Sequence, residues 1–139
     1  MMTIRIASQV ISEMHAHAES TYPEECCGVL IADHKKKIIE SMRMKNAHPG
    51  PKHDRYNIDP LELFKADRAV SSRGLTIAGV YHSHPDYPAT LSAFDLKHSF
   101  PWYSYLVVSV PRGKAGDTRG WVPSEDRKSA TEDKIEVEE

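Results

Sequence analysis

Residues 79–96 read GVYHSHPDYPATLSAFDL. An apolar run ends in two histidines one residue apart, a loop broken by Pro85 and Pro88 follows, and Ser-x-x-Asp comes next. In an extended strand residues i and i+2 share a face. His82 and His84 therefore project side by side, while Ser83 points the other way. Two imidazoles held on one face can bind a single ion. The prolines stop the strand and restrict the loop. Ser92 can then N-cap a short helix that carries Asp95 three positions on, which returns Asp95 towards the histidines. Two His and one Asp leave a tetrahedral zinc with one open position, the arrangement expected of a catalytic site. A water there can have its pKa lowered to about 7. Such a site still needs a proton-transfer group outside the metal's own ligands.

A lone His-x-His on a strand is more often incidental, and the chain carries its own control. HAH at 15–17 falls in a predicted helix, where i and i+2 diverge, so it reads as surface. His34, His48, His53 and His98 lack a matching constellation. The spacing of His82, His84, Ser92 and Asp95 taken together is far more specific.

Around this stretch the chain alternates strand and helix signals. TIRI suggests a short strand, and Ser8 is the expected N-cap of a helix to about Ser20, with Val10, Ile11, Met14 and Ala18 on one face. CCGVLIA and KKIIESMRM read as two strands joined by a turn. NAHPGPKHDRY at 46–56 reads as a loop. Asp59 caps a second helix with Pro60 in its first turn; Leu61, Phe64, Ala69 and Val70 are its expected buried side and Gly74 its stop. SYLVVSV at 104–110 is a further strand, and TRGWV, with Trp121, an expected edge strand. This order gives a small α/β or α+β domain, a mixed sheet with two main helices against it. Beyond Pro123 the chain is mostly charged, so residues 123–139 are expected to be a mobile tail.

The 139 residues fit one domain able to bury a core without staples. A net charge of −2 offers no footprint for nucleic acid and no polybasic signal for a membrane surface. No apolar run approaches the roughly 18 residues that span a bilayer, and the first residues lack the pattern of a signal peptide. Cys26 and Cys27 are adjacent and cannot form an ordinary bridge with each other; a reduced, cytoplasmic protein is the simplest expectation. A cysteine nucleophile is disfavoured, because Cys27-Gly28 enters a predicted buried strand.

HSHPDYPATLSAFD resembles the signature of the JAMM (MPN-plus) zinc metalloproteases, and PEECCGVL upstream resembles the segment bearing their catalytic glutamate. DRYNIDPLEL, GVYHSHP and YSYLVVSV look like the small bacterial single-domain members, so the resemblance covers roughly residues 3–122. It implies that His82, His84 and Asp95 bind Zn2+, and that Ser92 helps stabilise the oxyanion or position the water. The family's glutamate sits just before x-Cys-Gly, which selects Glu25 rather than Glu24 as the proton shuttle. The implied fold is α/β, the cytidine-deaminase-like sandwich, a curved mixed β-sheet flanked by helices, occupying residues 1–122. A deaminase itself is disfavoured, since the chain has no His-x-Glu followed by Pro-Cys-x-x-Cys.

The resemblance further implies a zinc peptidase that cuts after the C-terminal Gly-Gly of a ubiquitin-like sulfur-carrier protein. Two alternatives stand beside it: an isopeptidase that removes a ubiquitin-like modifier from lysine, and a non-catalytic ubiquitin-like-binding module. A substrate tail must enter extended, and such tails commonly add to an exposed sheet edge. The loops at 46–58 and 85–91 are expected to border that groove. The sequence leaves the oligomeric state open.

Overall fold

The apolar run ending in His-Ser-His becomes the central strand of the domain. The structure, a computed structural model, describes residues 2–139. In chain order it contains β1 (Thr3–Ala7), α1 (Ser8–Thr21), β2 (Cys27–Ala32), β3 (Ile38–Met44), α2 (Pro60–Ser71), β4 (Thr76–Pro85), α3 (Ala93–Lys97), β5 (Ser104–Val110), β6 (Thr118–Pro123) and β7 (Ala130–Glu138), with a 3-10 turn at Pro111–Gly113. β4 pairs antiparallel with β2 and parallel with β5. Its residues from Gly79 to Pro85 are buried, as expected of a strand covered on both faces. Gly79 sits where β4 and β5 approach most closely: a Cβ there would collide with the Ser104 carbonyl.

The strands follow the order β1-β3-β2-β4-β5-β6-β7, and β7 returns to pair with β1, so the mixed sheet closes into a barrel. Two expectations change as a result. The sheet is more than a curved layer, and residues 123–139 are not a loose tail. β7 pairs antiparallel with β6 and parallel with β1, the latter over five register pairs from Thr3↔Lys134 to Ala7↔Glu138. Its charged residues hold it in place: Asp133 is buried and accepts from the Met2 backbone N–H at 3.3 Å, and Glu138 pairs with Arg5 at 2.8 Å. Trp121 consequently lies on an interior strand, not an edge. The closure also narrows the room for edge addition, because among the described residues only Ile6↔Ile38 joins β1 to β3. The rest of β3 on that side is the open edge.

Helix α1 packs against β1, β3, β4, β5 and β7, so the sheet curls around it. Val10, Met14 and Ala18 are buried as the periodicity predicts, but His17 is buried with them, one helical step from Met14. His17 is therefore a core residue, contrary to the surface reading of HAH. Its Nδ1 lies 2.7 Å from the Tyr81 hydroxyl, which satisfies it. The cap of α1 is Ala7, with no side-chain cap bond, rather than Ser8. Helix α2 covers the opposite face of the sheet. Asp59 caps it as expected, accepting from the Leu61 N–H at 2.8 Å. Its inner side is Leu63, Ala66 and Val70, however, while Leu61 and Phe64 face solvent. The expected stripe mixed residues from both sides; positions 63, 66 and 70 are the ones at i, i+3 and i+7.

Candidate active site

The period of two along β4 sorts its residues cleanly. Tyr81 joins the core around α1, and the Ser83 hydroxyl accepts from the Cys26 N–H at 2.8 Å. His82 and His84 point to the other face, both fully buried, with their Nε2 atoms 3.1 Å apart. Asp95 meets them from α3, its Oδ2 lying 3.0 Å from His82 Nε2 and 3.1 Å from His84 Nε2. A reciprocal cap fixes this short helix: Ser92 Oγ accepts from the Asp95 N–H, and Asp95 Oδ2 accepts from the Ser92 N–H, each at 3.0 Å. Asp95 thus acts at once as a helix-cap partner and as a member of the cluster.

The chemistry of this donor set fits a cation. His84 Nδ1 lies 2.6 Å from the Pro88 carbonyl, which can only accept, so Nδ1 carries the proton. In the neutral ring Nε2 is then a bare lone pair, aimed at a carboxylate oxygen and at a second imidazole. Lone pairs converge in this way when a metal is to sit between them, and the carbonyl fixes the ligating tautomer. Burial drives His82 towards its neutral, ligating form. Burial alone would raise the Asp95 pKa; positive charge at the facing imidazole nitrogens, carried by protons or by a cation in their place, outweighs it and holds the carboxylate below its usual range. Ligand atoms of His82, His84, Asp95 and Glu25 all lie within 4.8 Å of one another. Glu25 Oε1, His82 Nδ1 and Asp95 Oδ1 are buried without a hydrogen-bond partner among the described residues. Unpaired polar atoms in such a place are costly unless an ion or a reacting group uses them.

Glu25 precedes β2 and is fully buried, whereas Glu24 is exposed. Its backbone is tied to the 46–57 loop: the Glu25 N–H donates to the Lys52 carbonyl at 2.7 Å, and Asn46 Nδ2 donates to the Glu25 carbonyl at 3.1 Å. Asn46 also bonds the backbones of Arg55, His48 and Asn57, so one amide side chain shapes the loop. Burial pushes the Glu25 carboxyl up to about 9, against the pull of a hydrogen bond from Tyr87 and with a smaller push from the nearby Asp95 charge. A cation held beside it acts in the opposite direction.

Two aromatic rings brace the imidazoles. Tyr56 stacks on His82 at 4.4 Å between centroids, and Tyr87 on His84 at 4.0 Å. Neither tyrosine is singled out by the sequence, nor is Asn46. Their roles depend on loop paths that no local periodicity encodes. The expected bordering loops are half realised. Ala47, Tyr56, Asn57 and Ile58 line a groove of about 660 Å3 that reaches Asp95, but its other wall comes from α2, α3 and the aromatic approach to β5. The 85–91 loop instead folds over the site: Pro88 bonds His84, and Trp121 Nε1 donates to the Ala89 carbonyl at 2.9 Å. Phe100 and Trp102 stack at the outer end of this region, with Trp102 largely exposed. Cys26 and Cys27 are buried free thiols, and burial pushes the Cys26 thiol up to about 11, so neither is poised as a nucleophile.

Residues 7–123 match the family model described as prokaryotic homologs of the JAB domain. A probable TtuB-protein conjugate cleaving protease of Thermus thermophilus is 32% identical over 109 residues, covering 78% of this chain and 72% of that protein. A CysO-cysteine peptidase of Mycobacterium tuberculosis is 32% identical over 107 residues, covering 76% and 72%. Among solved structures, protein DSY2949 of Desulfitobacterium hafniense superposes with a TM-score of 0.81 at 28% identity, over 100% of this chain and 94% of that one. AF2198, a JAB1/MPN domain protein of Archaeoglobus fulgidus, superposes with a TM-score of 0.64 at 18% identity, over 98% and 97%, a likeness of fold.

Proposed function

The chain belongs to the family of prokaryotic homologs of the JAB domain, and from that membership we propose a zinc-dependent peptidase acting on a ubiquitin-like sulfur-carrier protein. It hydrolyses the amide bond after the carrier's C-terminal Gly-Gly. The observation that carries this reading is the buried cluster of Glu25, His82, His84 and Asp95 beside an open groove.

His82, His84 and Asp95 would hold the ion, and two imidazoles with a carboxylate suit zinc. Bound zinc supplies Lewis acidity, which polarises an amide carbonyl and acidifies water. Glu25 is the proton shuttle: as a carboxylate it accepts a proton from the attacking water, and as the acid it delivers that proton to the leaving amine. Ser92 spends an oxygen lone pair on the α3 cap, which leaves its hydroxyl hydrogen to donate to the developing oxyanion. The groove, which reaches Asp95, receives the carrier's tail in extended form, and a slender Gly-Gly end suits the approach to the buried cluster. Burial of both free thiols is in keeping with work in a reducing compartment, the cytoplasm.

The name of the Thermus relative speaks of a protein conjugate, which favours a second reading: release of a ubiquitin-like modifier from lysine. The intact four-residue cluster argues against a module that only binds. The test is intact mass spectrometry of a linear C-terminally extended carrier and of a lysine-linked conjugate, each incubated with zinc-loaded protein and with Glu25→Gln. Loss of the residues beyond Gly-Gly with wild type alone supports the peptidase. Cleavage of the conjugate alone supports the isopeptidase, and cleavage of neither refutes both.

A further inference from the structure

We propose that Tyr87 is a positioning residue with two separable parts: its hydroxyl sets the Glu25 carboxyl, and its ring braces His84 in the metal-holding orientation. The inference rests on the reading of Glu25 as proton shuttle.

A glutamate side chain turns about three bonds, so a shuttle needs something to fix it. Among the described residues the only hydrogen-bond partner of the Glu25 carboxyl is the Tyr87 hydroxyl, which donates to Oε2 and leaves Oε1 free for the reacting proton. The ring of the same residue lies nearly parallel to His84, at 14° and 4.0 Å. The backbone around Tyr87 is clamped to hold this pose. Asp86 takes a left-handed conformation, φ 63°, which turns the chain back over the strand it has just left. Its carboxylate accepts from the Arg112 N–H at 2.7 Å and from the Tyr22 hydroxyl at 2.5 Å, and its N–H donates to the Val110 carbonyl at 3.1 Å. One residue on, the Tyr87 carbonyl accepts from Ser109 Oγ at 2.9 Å. Four anchors on two residues spend a strained backbone conformation on aiming one side chain. Outer partners of this kind typically change metal affinity or activity by about 10–100-fold when removed.

Tyr87→Phe keeps the ring and loses the hydroxyl; Tyr87→Leu loses both. Zinc affinity is measured by competition with a chromophoric chelator, turnover on the extended carrier. For Tyr87→Phe the expected result is a kcat lower by about 10–100-fold, with KM and zinc affinity unchanged. For Tyr87→Leu zinc affinity also falls, by about tenfold or more. Wild-type kcat in Tyr87→Phe overturns the hydroxyl role. Wild-type zinc affinity in Tyr87→Leu overturns the ring role, and a parallel loss of affinity in Tyr87→Phe overturns their separation. Should wild type cleave no carrier, the peptidase reading fails and this inference is still judged. The zinc affinities decide the ring. A melting-temperature cycle between Tyr87→Phe and Glu25→Ala decides the hydroxyl, since additive shifts mean that the two groups are not coupled.

Discussion

Ser92→Ala removes an oxygen that caps α3 and, in the proposed mechanism, a hydroxyl that donates to the oxyanion; pairing it with Ser92→Gly separates the two. The cap bond, Ser92 Oγ to the Asp95 N–H at 3.0 Å, belongs to a five-residue helix. Loss of such a cap to alanine costs about 1 kcal/mol, to glycine only a few tenths. At about 2.1 cal/mol/K of unfolding entropy per residue, the 139 residues give roughly 0.3 kcal/mol/K. Alanine therefore lowers the melting temperature by about 3 °C and glycine by about 1 °C. Zinc affinity changes little in either variant, because Asp95 keeps its bond from the backbone N–H of residue 92, which any residue supplies. Turnover behaves differently. A lost oxyanion donor costs about 10²–10³-fold in kcat, equally for alanine and glycine. Thermal melts, chelator competition and kcat on the extended carrier read the three quantities. Turnover that follows the melting temperatures, with glycine the more active, would refute the donor role and leave Ser92 a helix cap only.

Ser83→Ala leaves the buried Cys26 N–H without its acceptor, at a cost of about 2 kcal/mol or roughly 7 °C in a thermal melt; a shift under about 2 °C would mean that the strand relaxes to repair the loss. Burial depresses His17 from 6.5 to about 4, so the folded chain binds fewer protons than the unfolded one in that window. Its contribution is complete above pH 6.5 and disappears as pH falls through about 4. Allowing for solvent screening, that is about 2 kcal/mol of acid sensitivity, and His17→Gln should flatten urea midpoints between these pH values. Deleting residues 130–139 uncovers the edges of β1 and β6 together and should yield insoluble protein. A soluble, cooperatively melting product would show that barrel closure is dispensable.

What could be read from the sequence was what obeys a short-range rule. His82 and His84 share a face because strands repeat every two residues, and Asp95 returns to them because a Ser-x-x-Asp cap fixes where α3 starts. Glu25 rather than Glu24 came from the family resemblance and from no such rule; the structure buries Glu25 beside the three other members of the cluster. The failures have physical causes of another kind. β7 holds Ile135 and Val137 among charges, and its place comes from pairing with a strand more than 120 residues earlier, through Asp133 and Glu138. His17 looked like surface because burial of a histidine depends on one distant hydroxyl, that of Tyr81. Tyr87 reaches Glu25 only because Asp86 turns left-handed, a conformation set by partners on two other segments.

The parallel pairing of β1 with β7 has a mechanical side. A force that draws the start of β1 and the end of β7 apart runs along both strands in opposite directions. All five register pairs are then loaded together in shear, rather than peeled one at a time as they would be in an antiparallel hairpin. Resistance to pulling is governed by the unfolding rate and not by equilibrium stability. A pull applied at the end of β7 therefore loads this clasp as a unit, and once the clasp gives, the barrel has lost the strand that closes it.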